Sequence, residues 1–71
     1  MPKLPSVSGR KTIRSLNKLG FTIVRQRGSH VYMQKESATV TIPLHDPIKK
    51  TTLKSILNQA GISLEEFLEN L

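Results

Sequence analysis

The sequence predicts a single α+β domain, spanning residues 1–71, in which helices cover one face of a three-stranded antiparallel sheet. A chain of 71 residues can form one thin core and leaves no room for a second domain. Apolar residues recur at helical spacing near both ends of the chain and alternate with polar residues in the middle. Two short turn signals divide the alternating segment into three strands. The predicted order of elements is therefore α-β-β-β-α-α.

The first predicted element is a helix that the side chain of Ser8 can cap. Gly20 suits the left-handed residue after the end of this helix, and Phe21 then falls where it can pack back on Leu16. The apolar side carries residues at spacings of three, namely Ile13, Leu16 and Leu19. The opposite side carries basic residues at steps of four, namely Arg10, Arg14 and Lys18. Residues 1–7, ahead of the helix, are expected to be loosely held.

A β-hairpin is predicted next, because Gly28-Ser29 suits a two-residue type II′ turn with glycine first. The turn determines which residues lie opposite each other on the two strands. One face is expected to pair Arg27 with His30, Arg25 with Tyr32, and Ile23 with Gln34. The other is expected to pair Gln26 with Val31, Val24 with Met33, and Thr22 with Lys35.

A second tight turn at Glu36-Ser37 adds a third strand over residues 38–42. It places Val40 opposite Met33 and Ile42 opposite Val31, so the alternation agrees across both turns. The predicted core face contains Val24, Val31, Met33, Val40 and Ile42. The predicted water face contains Arg25, Arg27, His30, Tyr32, Gln34, Thr39 and Thr41.

A second helix follows a connecting loop at residues 44–47. It starts either with Asp46 as its cap and Pro47 in its first turn, or later, between Lys50 and Thr52. Its apolar stripe consists of Leu53, Ile56, Leu57 and Ala60, and Gly61 ends it.

A last helix is predicted from residue 63. Ser63 and Glu66 have the spacing of a capping box, and Ile62 and Phe67 have the spacing of a hydrophobic staple.

The charge of the chain points to a polyanionic partner. The net charge is +6, and residues 1–45 carry eight lysines and arginines against one acid. Nucleic acid is the first candidate for a partner that this positive charge attracts. The absence of cysteine excludes disulfides, cysteine-bound zinc and thiol catalysis. No segment approaches the roughly 18 apolar residues of a membrane span, so we expect a cytoplasmic protein without membrane contact.

The predicted water face combines the residue types that metal-free RNA cleavage requires. The imidazole of His30 can exchange a proton near neutral pH, Arg25 and Arg27 can hold phosphates, and Tyr32 can stack on a base rather than donate a proton. In such a reaction the ribose 2′-hydroxyl loses a proton and attacks phosphorus, while the leaving 5′-oxygen gains one. A solvated strand histidine beside a turn gives the same pattern, so both interpretations stay open.

Other basic residues and a second histidine are weaker candidates. Contact with RNA or with a protein partner is one interpretation of Arg10, Arg14, Lys18, Lys50 and Lys54, and solvated helix faces are the other. His45, beside Asp46 and Pro47, is either a hydrogen-bonded structural residue or an RNA contact. A joint metal site of His30, His45 and Asp46 has no local spacing motif, so no metal or other cofactor is expected.

Several segments together resemble the HicA family of mRNA interferase toxins. They are Leu4-Pro5-Ser6-Val7-Ser8-Gly9-Arg10, Gly20-Phe21, Arg25-Gln26-Arg27-Gly28-Ser29-His30, Ile42-Pro43-Leu44-His45, and Thr52 to Ser63 with Glu66-Phe67. The family often has glycine just before the threonine of its last long helix, where this chain has Thr51.

This resemblance implies a double-stranded-RNA-binding-domain-like fold and metal-independent cleavage of mRNA that depends on His30. It also implies RNA contact by the adjoining Gly28 and Ser29. A cognate HicB-type antitoxin is expected to cover His30 and to bring the pair to operator DNA through its own DNA-binding domain. The alternatives are a non-catalytic RNA-binding module and a co-repressor subunit. Neither the residues nor the resemblance identifies a second proton-transfer group.

Overall fold

The computed structural model describes residues 4–71 and confirms the predicted fold class. Its elements are α1 (Gly9–Lys18), β1 (Thr22–Arg27), β2 (His30–Lys35), β3 (Ala38–Pro43), α2 (Lys50–Ala60) and α3 (Leu64–Glu69). The strands form one antiparallel sheet in the order β1-β2-β3, and the helices pack on one of its faces. No helix in residues 4–71 is long and apolar enough to cross a membrane.

Helix α1 begins and ends as the sequence predicts. The Ser8 hydroxyl accepts a hydrogen bond from the Lys11 N–H at 3.2 Å. At the other end Gly20 has φ +104°, and the Phe21 N–H donates to the Leu16 carbonyl at 2.9 Å. These bonds satisfy backbone groups that a helix end otherwise leaves unpaired.

The buried side of α1 is rotated from the predicted one. Ile13 and Leu19 are only half-buried, whereas Thr12 and Ser15 are fully buried beside Leu16. Burial of the two hydroxyls is tolerated because both are hydrogen-bonded: Thr12 donates to the Ser8 carbonyl, and Ser15 donates to the Phe67 carbonyl at 2.9 Å. The second bond joins α1 to α3.

The β1-β2 hairpin has the predicted turn and half of the predicted register. Gly28 has φ +60° while Ser29 stays outside the left-handed region, as a type II′ turn requires. The pairs Arg27–His30, Gln26–Val31 and Arg25–Tyr32 are confirmed.

A β-bulge at Val24 then shifts the register. Thr22 lies opposite Gln34 and Ile23 lies opposite Met33, so the predicted pairs Ile23–Gln34, Val24–Met33 and Thr22–Lys35 are wrong. Val24 is 56% exposed and does not belong to the core. β1 is an edge strand exposed along its whole length, so no buried side chain holds it to strict alternation.

The remaining strand pairing and the sheet core agree with the prediction. Met33 pairs with Val40 and Val31 pairs with Ile42, and all four side chains are at most 2% exposed. They share one cluster with residues of all three helices, including Leu16, Leu53, Ile56 and Phe67.

Residues 44–48 form a connecting segment and do not start a helix. Three backbone hydrogen bonds hold them in place: Leu44 N–H to the Ser29 carbonyl, Gly9 N–H to the His45 carbonyl, and Ile48 N–H to the Val7 carbonyl. The predicted start of α2 with Asp46 as its cap is therefore wrong, and the alternative prediction, a start at Lys50, is confirmed. Val7 is also buried, so the expectation of a loose segment up to residue 7 is wrong at Val7; residues 1–3 lie outside the described part of the chain.

The C-terminal helices follow their sequence signals. Leu53, Ile56, Leu57 and Ala60 are buried, and Gly61 is left-handed at the end of α2. The Ser63–Glu66 capping box is present, and Phe67 is fully buried with Ile62 packed against the same core.

Replacing Gly9 by alanine should destabilise the domain. A methyl group at residue 9 would overlap the carbonyl oxygen of Pro43 and lie 2.9 Å from the Leu44 Cα. Because the obstacle is backbone, we expect Gly9→Ala to lower the free energy of unfolding by about 1–3 kcal/mol in urea denaturation. Lys11→Ala, at an exposed position in the same helix, is the control and should change it by less than about 0.5 kcal/mol. Equal stability of the two variants would contradict the close approach.

Replacing Gly28 by alanine should strain the hairpin turn without any clash. Gly28 has φ +60°, and a methyl group there would meet nothing within 4 Å. The cost is therefore that of a left-handed L-residue, about 1–2 kcal/mol in the same measurement. Ser29→Ala, at the other turn position, is the control and should cost less, because Ser29 has no positive φ. Equal losses for the two variants would contradict backbone strain at Gly28.

Candidate active site

His30 lies on the sheet face that the helices leave uncovered, which we call the open face. It is the first residue of β2, it is exposed, and its neighbours across the sheet are Arg27 on β1 and Pro43 on β3. The next residue, Val31, is buried, and side chains alternate along a strand. The structure thus brings His30 and Arg27 together on the open face.

Arg25 and Tyr32 form a second pair on the open face. The guanidinium carbon of Arg25 lies 4.8 Å from the centre of the Tyr32 ring, within the range of a cation–π interaction. This contact positions the guanidinium and covers one side of the ring. A stacking role for Tyr32 would therefore use the ring together with Arg25.

An open cavity of about 350 Å³ adjoins this pair, and sequence reasoning missed part of its lining. It is lined by Val24, Arg25, Tyr32, Met33 and Thr39. Val24 lies here because of the bulge in β1. No sequence pattern indicates the bulge, so strict alternation predicts Val24 in the core. The cavity offers an apolar wall beside a fixed cation, a combination that suits a nucleic-acid base next to its phosphate.

The Gly28-Ser29 turn joins β1 to β2 and is hydrogen-bonded to the chain segment after β3. The Ser29 carbonyl accepts from the Leu44 N–H at 2.7 Å, which ties the turn to the chain segment after β3. The space beside Gly28 is empty, so another molecule can approach the backbone there.

The candidate cations on the helices are not gathered around His30. Four of these cations on α1 and α2 are exposed, namely Arg14, Lys18, Lys50 and Lys54. Both helices pack on the sheet face opposite to the open face. Arg10 borders a pocket of about 120 Å³ together with Ser8, Gly9 and His45.

His45 is exposed and belongs to the segment that follows β3. Its backbone carbonyl accepts from the Gly9 N–H at 2.8 Å. Within residues 4–71, no hydrogen bond is made by the imidazole of either His45 or His30. The structural contribution of His45 therefore comes from its backbone, and both imidazoles are available to a ligand.

In the part of the chain that the structure describes, no three histidine, aspartate or glutamate residues are grouped so that they could hold a metal ion. His30, His45 and Asp46 do not form such a group.

The sequence of the chain matches a known protein family. A family model described as the HicA toxin of bacterial toxin–antitoxin systems matches residues 9–62, most of the chain and all of the open face. No curated protein sequence matches the chain significantly. Because the family match covers well over half of the 71 residues, the protein belongs to the HicA toxin family of bacterial toxin–antitoxin systems.

Proposed function

We propose that this toxin is an endoribonuclease that cleaves mRNA, with His30 as its catalytic residue. The observation that carries the proposal is the placement of His30, which is exposed on the open face and directly opposite Arg27. Membership of a toxin family adds support, because cleavage of mRNA stops translation and growth.

The proposed reaction uses an imidazole and two guanidinium groups. His30 transfers a proton when the ribose 2′-hydroxyl attacks the neighbouring phosphorus. Arg27, across the strand pair, and Arg25, held against Tyr32, neutralise the charge that develops on the phosphoryl oxygens. Tyr32 and the cavity beside it take a base, and Gly28 and Ser29 let the RNA backbone approach. No metal or other cofactor takes part in the scheme.

The remaining cations extend the binding surface beyond the reacting phosphate. We assign Arg10, Arg14, Lys18, Lys50 and Lys54 to contacts with flanking RNA or with the antitoxin. All of them are exposed, and the net charge of +6 favours an acidic partner.

The antitoxin of the pair is proposed to be a HicB-type protein that covers His30 and the open face. Operator DNA is then contacted through the antitoxin and not by this chain directly. The toxin acts on mRNA in the cytoplasm.

Removing the imidazole should abolish toxicity. We expect expression of His30→Ala to leave growth and cellular mRNA intact, and the purified variant to cleave RNA about 10²–10⁴-fold more slowly than wild type. Gln59→Ala, at an exposed position on α2, is the matched control and should remain toxic. The measurements are growth after induction and RNA length on denaturing gels.

Two outcomes would contradict the catalytic role. Equal toxicity of a folded His30→Ala protein would exclude His30 as the catalytic residue. Salt-sensitive RNA binding by wild type without any change in strand length would instead favour the non-catalytic RNA-binding module, which the basic surface also supports.

Cleavage should persist in EDTA and leave defined ends. Attack by the 2′-hydroxyl produces a 2′,3′-cyclic phosphate, or a 3′-phosphate after hydrolysis, with a 5′-hydroxyl on the other fragment. Mass spectrometry of the fragments tests this directly. Fragments with 5′-phosphates would show that water, and not the 2′-hydroxyl, is the nucleophile. Activity that is lost in EDTA and returns only with Mg²⁺ would show that the reaction requires a metal ion.

A further inference from the structure

We propose that His45 is the second proton-transfer group of the site. The inference rests on the proposed ribonuclease activity and goes beyond it. Cleavage through the 2′-hydroxyl needs one group that accepts a proton and one that donates a proton, and His30 provides a single imidazole. Arginine is too basic to fill the second role.

The strand pairing continues past the end of β3 and brings His45 towards the turn. His30 lies opposite Pro43, and the Leu44 N–H donates to the Ser29 carbonyl at 2.7 Å. Extending the antiparallel register two residues past Pro43 makes His45 the diagonal neighbour of His30, and such neighbours are about 7–8 Å apart across a strand pair. A phosphodiester group fits between imidazoles at this spacing.

The direction of the His45 side chain follows from its neighbour in sequence. The Leu44 side chain packs against the core on the helix side, where it lines a groove with Ile13 and Val31. The backbone groups alternate in direction as well. The Leu44 N–H points towards β2 and donates to the Ser29 carbonyl, whereas the His45 carbonyl points away from β2 and accepts from the Gly9 N–H. Both observations indicate an extended segment, in which successive side chains point to opposite faces. His45 therefore points to the open face, as His30 does.

The charged groups around the two imidazoles come from three elements. Arg27 of β1 lies across from His30, Arg10 of α1 borders a pocket with His45, and Asp46 follows His45 in the chain and lines the same pocket. Arg27 is therefore the cation beside the His30 imidazole, while Arg10 and Asp46 are the charged neighbours of His45.

The reaction balances with these groups. One imidazole, neutral at the start, takes the proton of the 2′-hydroxyl as the new bond to phosphorus forms. The other, protonated at the start, gives its proton to the 5′-oxygen as the bond from that oxygen to phosphorus breaks. The products are a 2′,3′-cyclic phosphate and a 5′-hydroxyl. Transfer of a proton through water then restores both imidazoles.

The test uses the purified full chain and a short RNA that contains one site cleaved by the wild type. Rates are measured for wild type, His30→Ala and His45→Ala from about pH 5 to 9. Wild type should show a bell-shaped profile, and His45→Ala should be about 10²–10⁴-fold slower with one side of the bell missing. Lys49→Ala, exposed in the same segment, is the control and should match wild type. Thermal unfolding verifies that His45→Ala is folded.

A second substrate separates proton transfer from a structural effect. Replacing the 5′-bridging oxygen by sulfur gives a leaving group that needs no proton. This RNA should restore the rate of whichever histidine variant lacks the proton donor, and not that of the other. A His45→Ala enzyme within about threefold of wild type and with an unchanged bell would overturn the inference while leaving the ribonuclease proposal intact. Failure of sulfur to rescue either variant would also overturn it. A wild type that cleaves no RNA would overturn the proposed function itself.

Discussion

Burial of Val31 and Met33 under the helices is the constraint on which the rest of the structure depends. Both side chains are at most 2% exposed, and each contributes about 1.5–3 kcal/mol through removal from water. Side chains alternate along β2, so His30 and Tyr32 must then lie on the open face. A shift of one residue would expose the core pair and bury the imidazole. The position of the candidate catalytic residue is thus held by its apolar neighbours, since its own side chain makes no hydrogen bond within residues 4–71.

Close packing of α1 against the chain after β3 holds the segment that contains His45 in place. Gly9 lies on the backbone of Pro43 and Leu44 so tightly that only glycine fits, and its N–H bonds to the His45 carbonyl. On the other side of this segment, the Leu44 N–H donates to the Ser29 carbonyl. The hairpin turn, the segment with His45 and the start of α1 therefore form one connected edge. Backbone hydrogen bonds, and not long side chains, thus connect the segment that contains His45 to the hairpin turn and to α1.

The uncovered strand β1 gives the protein a surface that suits its proposed partners. Helices cover the part of the sheet near β3, and β1 remains exposed on both faces. Its bulge and its two arginines discourage pairing with a second copy of this strand, as does the positive net charge of each chain. The same arginines favour an acidic ligand on the open face, whether RNA or an antitoxin.

The sequence by itself determined the order of elements, the capping residues, the hairpin turn and the face on which His30 lies, because these depend on neighbours a few residues apart. It also showed the family resemblance that the family match confirms. Only the tertiary structure decided the bulge at Val24, the rotation of α1 onto Thr12 and Ser15, and the non-helical course of residues 44–48. The bulge is possible because no side chain of β1 is buried. The other two features depend on contacts between residues far apart in the chain, such as Ser15 with Phe67 and Gly9 with His45. Alternation and helical spacing describe one element at a time, so they carry no information on how two elements meet.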